Sequence, residues 1–466
     1  MVQKNGRLTL LLAIVISVLI GIMGSGFYRD ICAGDRETYK GLKIFSDVID
    51  LIEKNYVDEV DSKELIHKAI QGMMNGLDPH SQLLPPEAYE ELQIDTHGEF
   101  GGIGIVITMQ KNMLTVISPI EGTPAYEAGV KAGDIIIKVD GDPTKDMMLW
   151  EAVKKMRGPK GEAVIITVMR EGEEEPLEFT LVRDIIPIES VRYIVLQPGY
   201  GYVRVSNFQD NTTQDLKAAL RALESGTAPL KGLVLDLRDN PGGLLNQAID
   251  ISDLFLDKGD IVSIKGRQAR HTKIFTAHTD RKKRDYPIVT LINGGSASAS
   301  EIVAGALQDH KRAVILGTTS FGKGSVQTVE PLRDGYGLKY TIARYYTPSG
   351  RSIQAQGIIP DIEVKADTAL AGKNAEIRRL KEKDLKNHLE ADPSSSGKQQ
   401  EQSPSETEDL IIEEEDKSDA EKREELKDQT ESRYGPLKLE NLQDDNQVMR
   451  ALEILRGYDI FTETRS

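Results

Sequence analysis

A serine ahead of a helix and a lysine in a glycine loop are the residues of this chain best suited to chemistry. Both lie in residues 293–327, NGGSASASEIVAGALQDHKRAVILGTTSFGKGSVQ. The apolar run Ile288–Ile292 predicts a strand that stops at Asn293-Gly294-Gly295, residues suited to a sharp turn. A helix opening near Glu301 and running to about Leu307, then a strand Ala313–Leu316, follow from the pattern of apolar residues. Ser298-Ala299-Ser300-Glu301 fits a capping box, in which Ser298 would only satisfy an orphan amide. A nucleophile suits the same place, because the positive helix end and unpaired backbone amides stabilise a developing oxyanion.

Such a nucleophile needs a base. Lys323, between Gly322 and Gly324, could supply one if burial lowers its pKa enough to leave the amine neutral. Serine–lysine pairs are a known variant of the serine–histidine arrangement. The plain alternative is a solvated loop lysine. A phosphate loop is the sharper rival, since Gly317, Gly322 and Lys323 nearly match the G-x-x-x-x-G-K-[ST] pattern. Gly324 stands where that motif needs a hydroxyl, and SVQTVEPL alternates like a strand instead of opening a helix. These departures argue against a nucleotide site.

GSASASEI, with FGKGSVQ one helix and one strand later, closely resembles the carboxy-terminal processing peptidases, or tail-specific proteases. The resemblance runs from roughly Thr38 to Ile362. It implies Ser298 as nucleophile, Lys323 as general base and Gln327 as the residue that orients the lysine. The spacing agrees, with Lys323 25 positions after Ser298 and Gln327 four after Lys323. The resemblance also implies an oxyanion hole made by the amide of Ala299 and one from Gly242 or Gly243. The choice between these glycines stays open. For Asp236 and Arg238, an internal ion pair holding this turn is the preferred role.

The segment EFGGIGIVITM followed by GTPAYEAGVKAGDIIIKVDG resembles a PDZ domain, with Gly101-Gly102-Ile103-Gly104 as its carboxylate-capturing loop. Amides in a glycine turn can hold an anion, and the next strand can accept an added peptide strand. Leu149 and Val153, four apart on a short helix, suit either the walls of that groove or the domain's core.

Composition narrows the function classes. The formal net charge of −16 argues against nucleic acid as a partner. The seven histidines are scattered, and no His, Cys and carboxylate cluster has metal-ligand spacing. No cofactor is expected. His271, His278 and His310 lie in no recognisable triad context, and Asp78 and His80 flank a proline turn. Cys32 alone excludes an intramolecular disulfide.

The expected fold is an α/β multidomain chain. Residues 1–28 form a cytoplasmic tip with a membrane anchor or signal segment: at about 1.5 Å per residue, Leu8–Phe27 would cover a ~30 Å hydrocarbon core. Lys4 and Arg7 orient the rest of the chain to the far side of the membrane. A helical N-terminal region comes next at 36–95, then an inserted PDZ-like β domain at 96–184 and an α/β serine-peptidase core at 185–366. Residues 367–436 read as a disordered, charged low-complexity linker. The C-terminal helical segment is 437–466, with an apolar stripe of Val448, Ala451, Leu452 and Leu455 that suits docking on the body or an assembly contact.

Together these readings imply a serine endopeptidase of the bacterial cell envelope, with its catalytic part in the periplasm. It would recognise apolar C-termini through the PDZ-like domain and process or degrade proteins from that end. Expected partners are protein substrates with exposed apolar C-termini, further copies of the chain, the inner membrane through the N-terminal segment, and an adaptor protein. The alternative is a peptide-binding scaffold or chaperone on an inactive protease core. The joint presence of Ser298, Lys323 and Gln327 argues against it.

Overall fold

The computed structural model describes residues 37–367, 380–391 and 437–464, apart from residues 111–112, 146, 227 and 280–282. The expected membrane segment lies outside the described residues. Among those described, no helix is long and apolar enough to cross a membrane. Two units result, Met1–Gly76 and Leu77–Ser466.

In the first unit a helix over residues 37–55 precedes the helix Ser62–Asn75. Asp61 caps the latter, its carboxylate accepting the Lys63 amide at 2.8 Å. Leu42, Phe45 and Val48 keep their helical spacing but are exposed. The helical region expected to reach residue 95 divides here. The strand Gln82–Leu84 and the helix Pro86–His97 belong to the second unit, where the strand pairs with Gly337–Tyr346.

The main sheet of the α/β core runs Val191–Gln197, Tyr200–Val205, Gly232–Asp236, Ile288–Ile292, Ala313–Gly317 and Ile362–Glu363. Its first pair is antiparallel and the remainder parallel. Gly232–Asp236 and Ile288–Ile292 are buried at every residue, as strands covered on both faces must be. Side chains alternate between those faces. Leu233, Leu235, Ile288 and Ile292 share a core with residues of the helices Thr212–Glu224, Leu245–Asp253 and Ala299–Asp309. Val234, Val289, Leu291 and Leu316 meet the helix Asn446–Glu463 on the other face.

The apolar stripe of that last helix is therefore docked. Val448, Ala451, Leu452 and Leu455 are buried against the sheet, and the three larger side chains contribute about 1.5–3 kcal/mol each. A second, antiparallel sheet has Gly337–Tyr346 at its centre and carries Ser325–Pro331, the strand that follows Lys323.

The inserted β domain has the strand order Ile105–Gln110, Met113–Pro119, Ile135–Val139, Ala163–Met169 and Leu177–Val182, with Asp142–Pro143 beside Ile135–Val139. Its two ends leave side by side, Glu99–Gly102 pairing with Asp184–Pro187. Gly101 is confined to glycine by this junction, since a Cβ there would lie 2.1 Å from the Gly158 carbonyl oxygen.

Candidate active site

The turn after Ile288–Ile292 is built by short polar side chains. The Ser296 hydroxyl donates to the Leu237 carbonyl at 2.8 Å and accepts the Asn293 amide at 3.0 Å. The chain then reaches Ser298 with φ 54° and ψ −111°, strained for a residue with a side chain, and enters the helix Ala299–Asp309. This sharp strand-to-helix passage presents the serine at the carboxyl end of a parallel strand, where sites in such sheets gather.

The Gly242–Gly243 turn packs against it. A Cβ on Gly242 would come within 2.8 Å of the Ser298 Cβ, and its φ is +104°, so only glycine fits. The amide of Gly242 donates to Asn240 Oδ1 at 2.9 Å. Among the described residues no group accepts the amide of Gly243 or of Ala299. Asn240 joins the two turns, its backbone carbonyl accepting the Ala297 amide at 3.0 Å and the Ser300 hydroxyl at 2.9 Å. The sequence marks Asn240 only as part of a turn.

Glu301 does more than the capping box foretells. Its carboxylate is wholly buried, and Oε2 accepts the Ser298 amide at 2.8 Å. The same oxygen accepts the Lys323 amide at 2.9 Å; Oε1 accepts the Gly322 amide at 2.7 Å and the Ser320 hydroxyl at 2.5 Å. Burial pushes this carboxyl up to about 7 against the pull of those four donors.

The Lys323 side chain is half-buried, and among the described residues its amine has no hydrogen bond or ion pair. Burial, and then the neighbouring Lys339, bring it down to about 8, while Glu382, Glu301 and Asp78 pull upward. It leads into a strand, Ser325–Pro331, as the alternating pattern of SVQTVEPL predicts. Gln327 lies on that strand, and its amide nitrogen donates to Ser325 Oγ at 2.8 Å. The Tyr345 hydroxyl, pushed up to about 12 by burial, sits against the Ser298 side chain.

In the β domain, Ile105–Gln110 is an edge strand, paired among the described residues only with Met113–Pro119. Among the described residues, the amides of Ile103 and Gly104 just before it have no acceptor. Gly104 has φ +76°, and a Cβ there would strike Thr123 at 2.2 Å. Ile103 itself is buried in the domain core. On the helix Leu149–Met156 the core face is Ala152 and Met156; Leu149 is 37% exposed and Val153 half-buried. Of the two roles open to Leu149 and Val153, the core is taken by their neighbours.

Asp78 makes a turn, accepting the His80 and Ser81 amides at 2.9 Å each. Asp236 and Arg238 form the expected internal pair, 2.6 Å between Arg238 Nη2 and Asp236 Oδ2. Tyr202 donates to the same carboxylate at 2.7 Å, and Arg238 holds Asp236 down to about 2 against its burial. Arg238 also bonds Gln447 and Asp445 of the C-terminal segment, at 2.8 Å each. His278 rests on Asp253 and His310 on the Asp260 carbonyl, away from Ser298.

Comparison with known proteins agrees with this layout. Residues 199–364 match the model of peptidase family S41, residues 101–181 that of a PDZ domain, and residues 31–87 that of the activating protease CtpB N-terminal domain. A carboxy-terminal-processing protease of Bartonella bacilliformis is 48% identical over 363 residues, covering 78% of this chain and 83% of the relative. A carboxyl-terminal-processing protease of Synechocystis is 41% identical over 319 residues, covering 67% and 74%. Among solved structures, the photosystem II D1 C-terminal processing protease is 32% identical, covering 69% of this chain and 92% of that one, at a TM-score of 0.40. The chain therefore belongs to peptidase family S41, as a serine protease of the carboxy-terminal-processing kind that carries a PDZ domain.

Proposed function

We propose that this protease captures an exposed apolar carboxyl terminus and cuts the chain upstream by a Ser298–Lys323 dyad. The terminal carboxylate meets the amides of Ile103 and Gly104, and the last residues add as a strand to Ile105–Gln110. Leu149 and Val153 line the groove for apolar side chains. Neutral Lys323 takes the proton of Ser298 as Oγ bonds to the scissile carbonyl carbon. The oxyanion is held by the amides of Ala299 and Gly243, since that of Gly242 is committed to Asn240. Lys323 passes the proton to the leaving amine, and water then cleaves the acyl-enzyme by the reverse transfers. Gln327, its nitrogen held by Ser325, leaves its carbonyl oxygen to orient the lysine amine.

The carrying observation is the strained Ser298 turn with two unaccepted amides, tied through Glu301 to a lysine brought down to about 8. The anchor-like residues 8–27 support an extracytoplasmic, membrane-attached enzyme of the bacterial envelope. The exposed stripe of Leu42, Phe45 and Val48 supports self-association, and an adaptor protein fits the same apolar face.

The test mixes the enzyme with an unfolded protein ending in small apolar residues and follows intact mass, beside Ser298→Ala and Lys323→Ala. Cleavage by the parent alone, lost when the terminus is made acidic, is the expected result. Cleavage that survives Ser298→Ala would sink the dyad.

A further inference from the structure

Residues 380–391 lie in the stretch whose composition reads as a linker, yet Glu382 is 0% exposed. A linker has no need of a buried carboxylate, which costs several kcal/mol unless it is fully paired. Here it is paired. Glu382 Oε1 accepts Gln354 Nε2 at 2.8 Å, and Oε2 lies 2.7 Å from His80 Nε2.

The partners lead to the lysine loop on both sides. The Glu382 amide donates to the Phe321 carbonyl at 3.2 Å, two residues before Lys323. Gln354 Oε1 accepts the amide of Gly324, directly after Lys323, at 2.9 Å. Gln354 Nε2 also donates to the Leu389 carbonyl at 2.9 Å, and Lys381 Nζ reaches the Thr319 carbonyl at 3.4 Å. Glu301 grips the middle of the loop, while the 380–391 segment holds Thr319 and Phe321 directly and Gly324 through Gln354.

We propose that residues 380–391 form a strap that positions the Lys323 loop, with Glu382 as a positioning residue acting through Phe321 and Gln354. The proposal rests on Lys323 being the general base. The charged groups around the Lys323 amine are the carboxylates of Glu382, Glu301 and Asp78 and the cation of Lys339. Glu382 itself faces His80 and Gln354. Neutralising Glu382 leaves Lys339 less opposed, so the lysine gives up its proton more readily, while the loop loses part of its grip.

The test uses the full chain carrying Glu382→Gln, with Lys383→Gln on the same turn as an exposed control. One arm measures kcat, KM and their pH dependence on a tail-bearing peptide. The other follows acetylation of Lys323 against pH by mass spectrometry in the Ser298→Ala background, which needs no turnover. Glu382→Gln should lower kcat roughly ten-fold at unchanged KM. It should also move both the acid limb and the Lys323 acetylation midpoint to lower pH, and the control should do neither. If thermal unfolding shows Glu382→Gln to be misfolded, Glu382→Asp, which keeps the charge and shortens the reach, carries the same kcat expectation. A parental kcat with an unmoved acetylation midpoint overturns the strap. Full activity in Lys323→Ala overturns the base assignment instead, and the acetylation midpoint then judges the strap by itself.

Discussion

Ser298 and Lys323 hang from a single atom: both backbone amides donate to Glu301 Oε2, at 2.8 and 2.9 Å. The two loops that carry the proposed dyad are thus registered through a third residue on the helix between them. A shift of one is passed to the other through an acceptor that burial and four donors hold in place.

This arrangement makes Glu301→Gln a sharp probe. Each carboxylate oxygen accepts two donors, and an amide can offer only one oxygen. Whichever way it turns, its NH2 faces at least one backbone N–H, at a cost of about 1–3 kcal/mol. We expect kcat to fall roughly 10²-fold with KM nearly unchanged. Steady-state kinetics on a short peptide checks this, and a parental kcat would show that the shared oxygen is dispensable.

Activity should rise with pH through about 8. As the proposed general base, the amine of Lys323 acts only when neutral, and burial with Lys339 brings it down to that value. Below about 7 Glu301 also gains a proton, and its four donors lose their anionic acceptor. The kcat/KM profile should therefore level off towards pH 9, fall about six-fold between pH 8 and 7, and steepen under pH 7. A profile flat from pH 6 to 9 would contradict a lysine base.

The same depressed lysine has a stability consequence. Its folded value lies below its unfolded one, so charging it opposes folding most strongly below pH 8, and the penalty fades by 10.5. Lys323→Met removes it. After allowance for its partial exposure, the variant should be inactive yet about 2 kcal/mol more stable at pH 7, with no advantage above pH 10.5. Chemical denaturation at pH 7 and 10.5 decides; a destabilised variant at pH 7 would mean the amine is well solvated.

Leu149 and Val153 lie outside the β-domain core, so charging them should spare the fold. Leu149→Asp with Val153→Asp should raise KM for tail-bearing substrates roughly ten-fold, by about 1.4 kcal/mol of lost binding. The thermal midpoint should stay at the parental value. An unchanged KM for apolar tails would place capture elsewhere.

Arg238 spans the Asp236 carboxylate and two groups of the C-terminal segment, so its loss leaves that buried anion with only the Tyr202 hydroxyl, the residue-238 amide and Arg204 at 3.9 Å. Arg238→Ala should destabilise the protein by about 3–5 kcal/mol, measurable by urea unfolding. A loss under 1 kcal/mol would show that Tyr202 and Arg204 suffice to hold the Asp236 charge.

Local patterns made much of this legible. Ile288–Ile292 forms the strand its apolar run predicts, and Ala313–Gly317 exceeds the expected Ala313–Leu316 by one residue. Composition and period carry such elements. Glu301 looked like a cap because its other three donors come from residues 320–323, beyond the reach of helix spacing. The choice between Gly242 and Gly243 turns on the side chain of Asn240, which spacing does not aim. Glu382 was hidden by its company: charged neighbours read as solvated, and only the fold shows one of them walled in.

The helix Asn446–Glu463 sets an order of events as well as a contact. Val234, Val289, Leu291 and Leu316 face a surface that only residues far downstream can cover. At roughly 5–20 residues per second, the chain emerging during synthesis holds that apolar face bare for several seconds after its last parallel strand exists. Competence to cut should therefore arrive late in synthesis, with the seating of Val448 through Leu455, and a nascent chain stalled before them should be the form that chaperones hold.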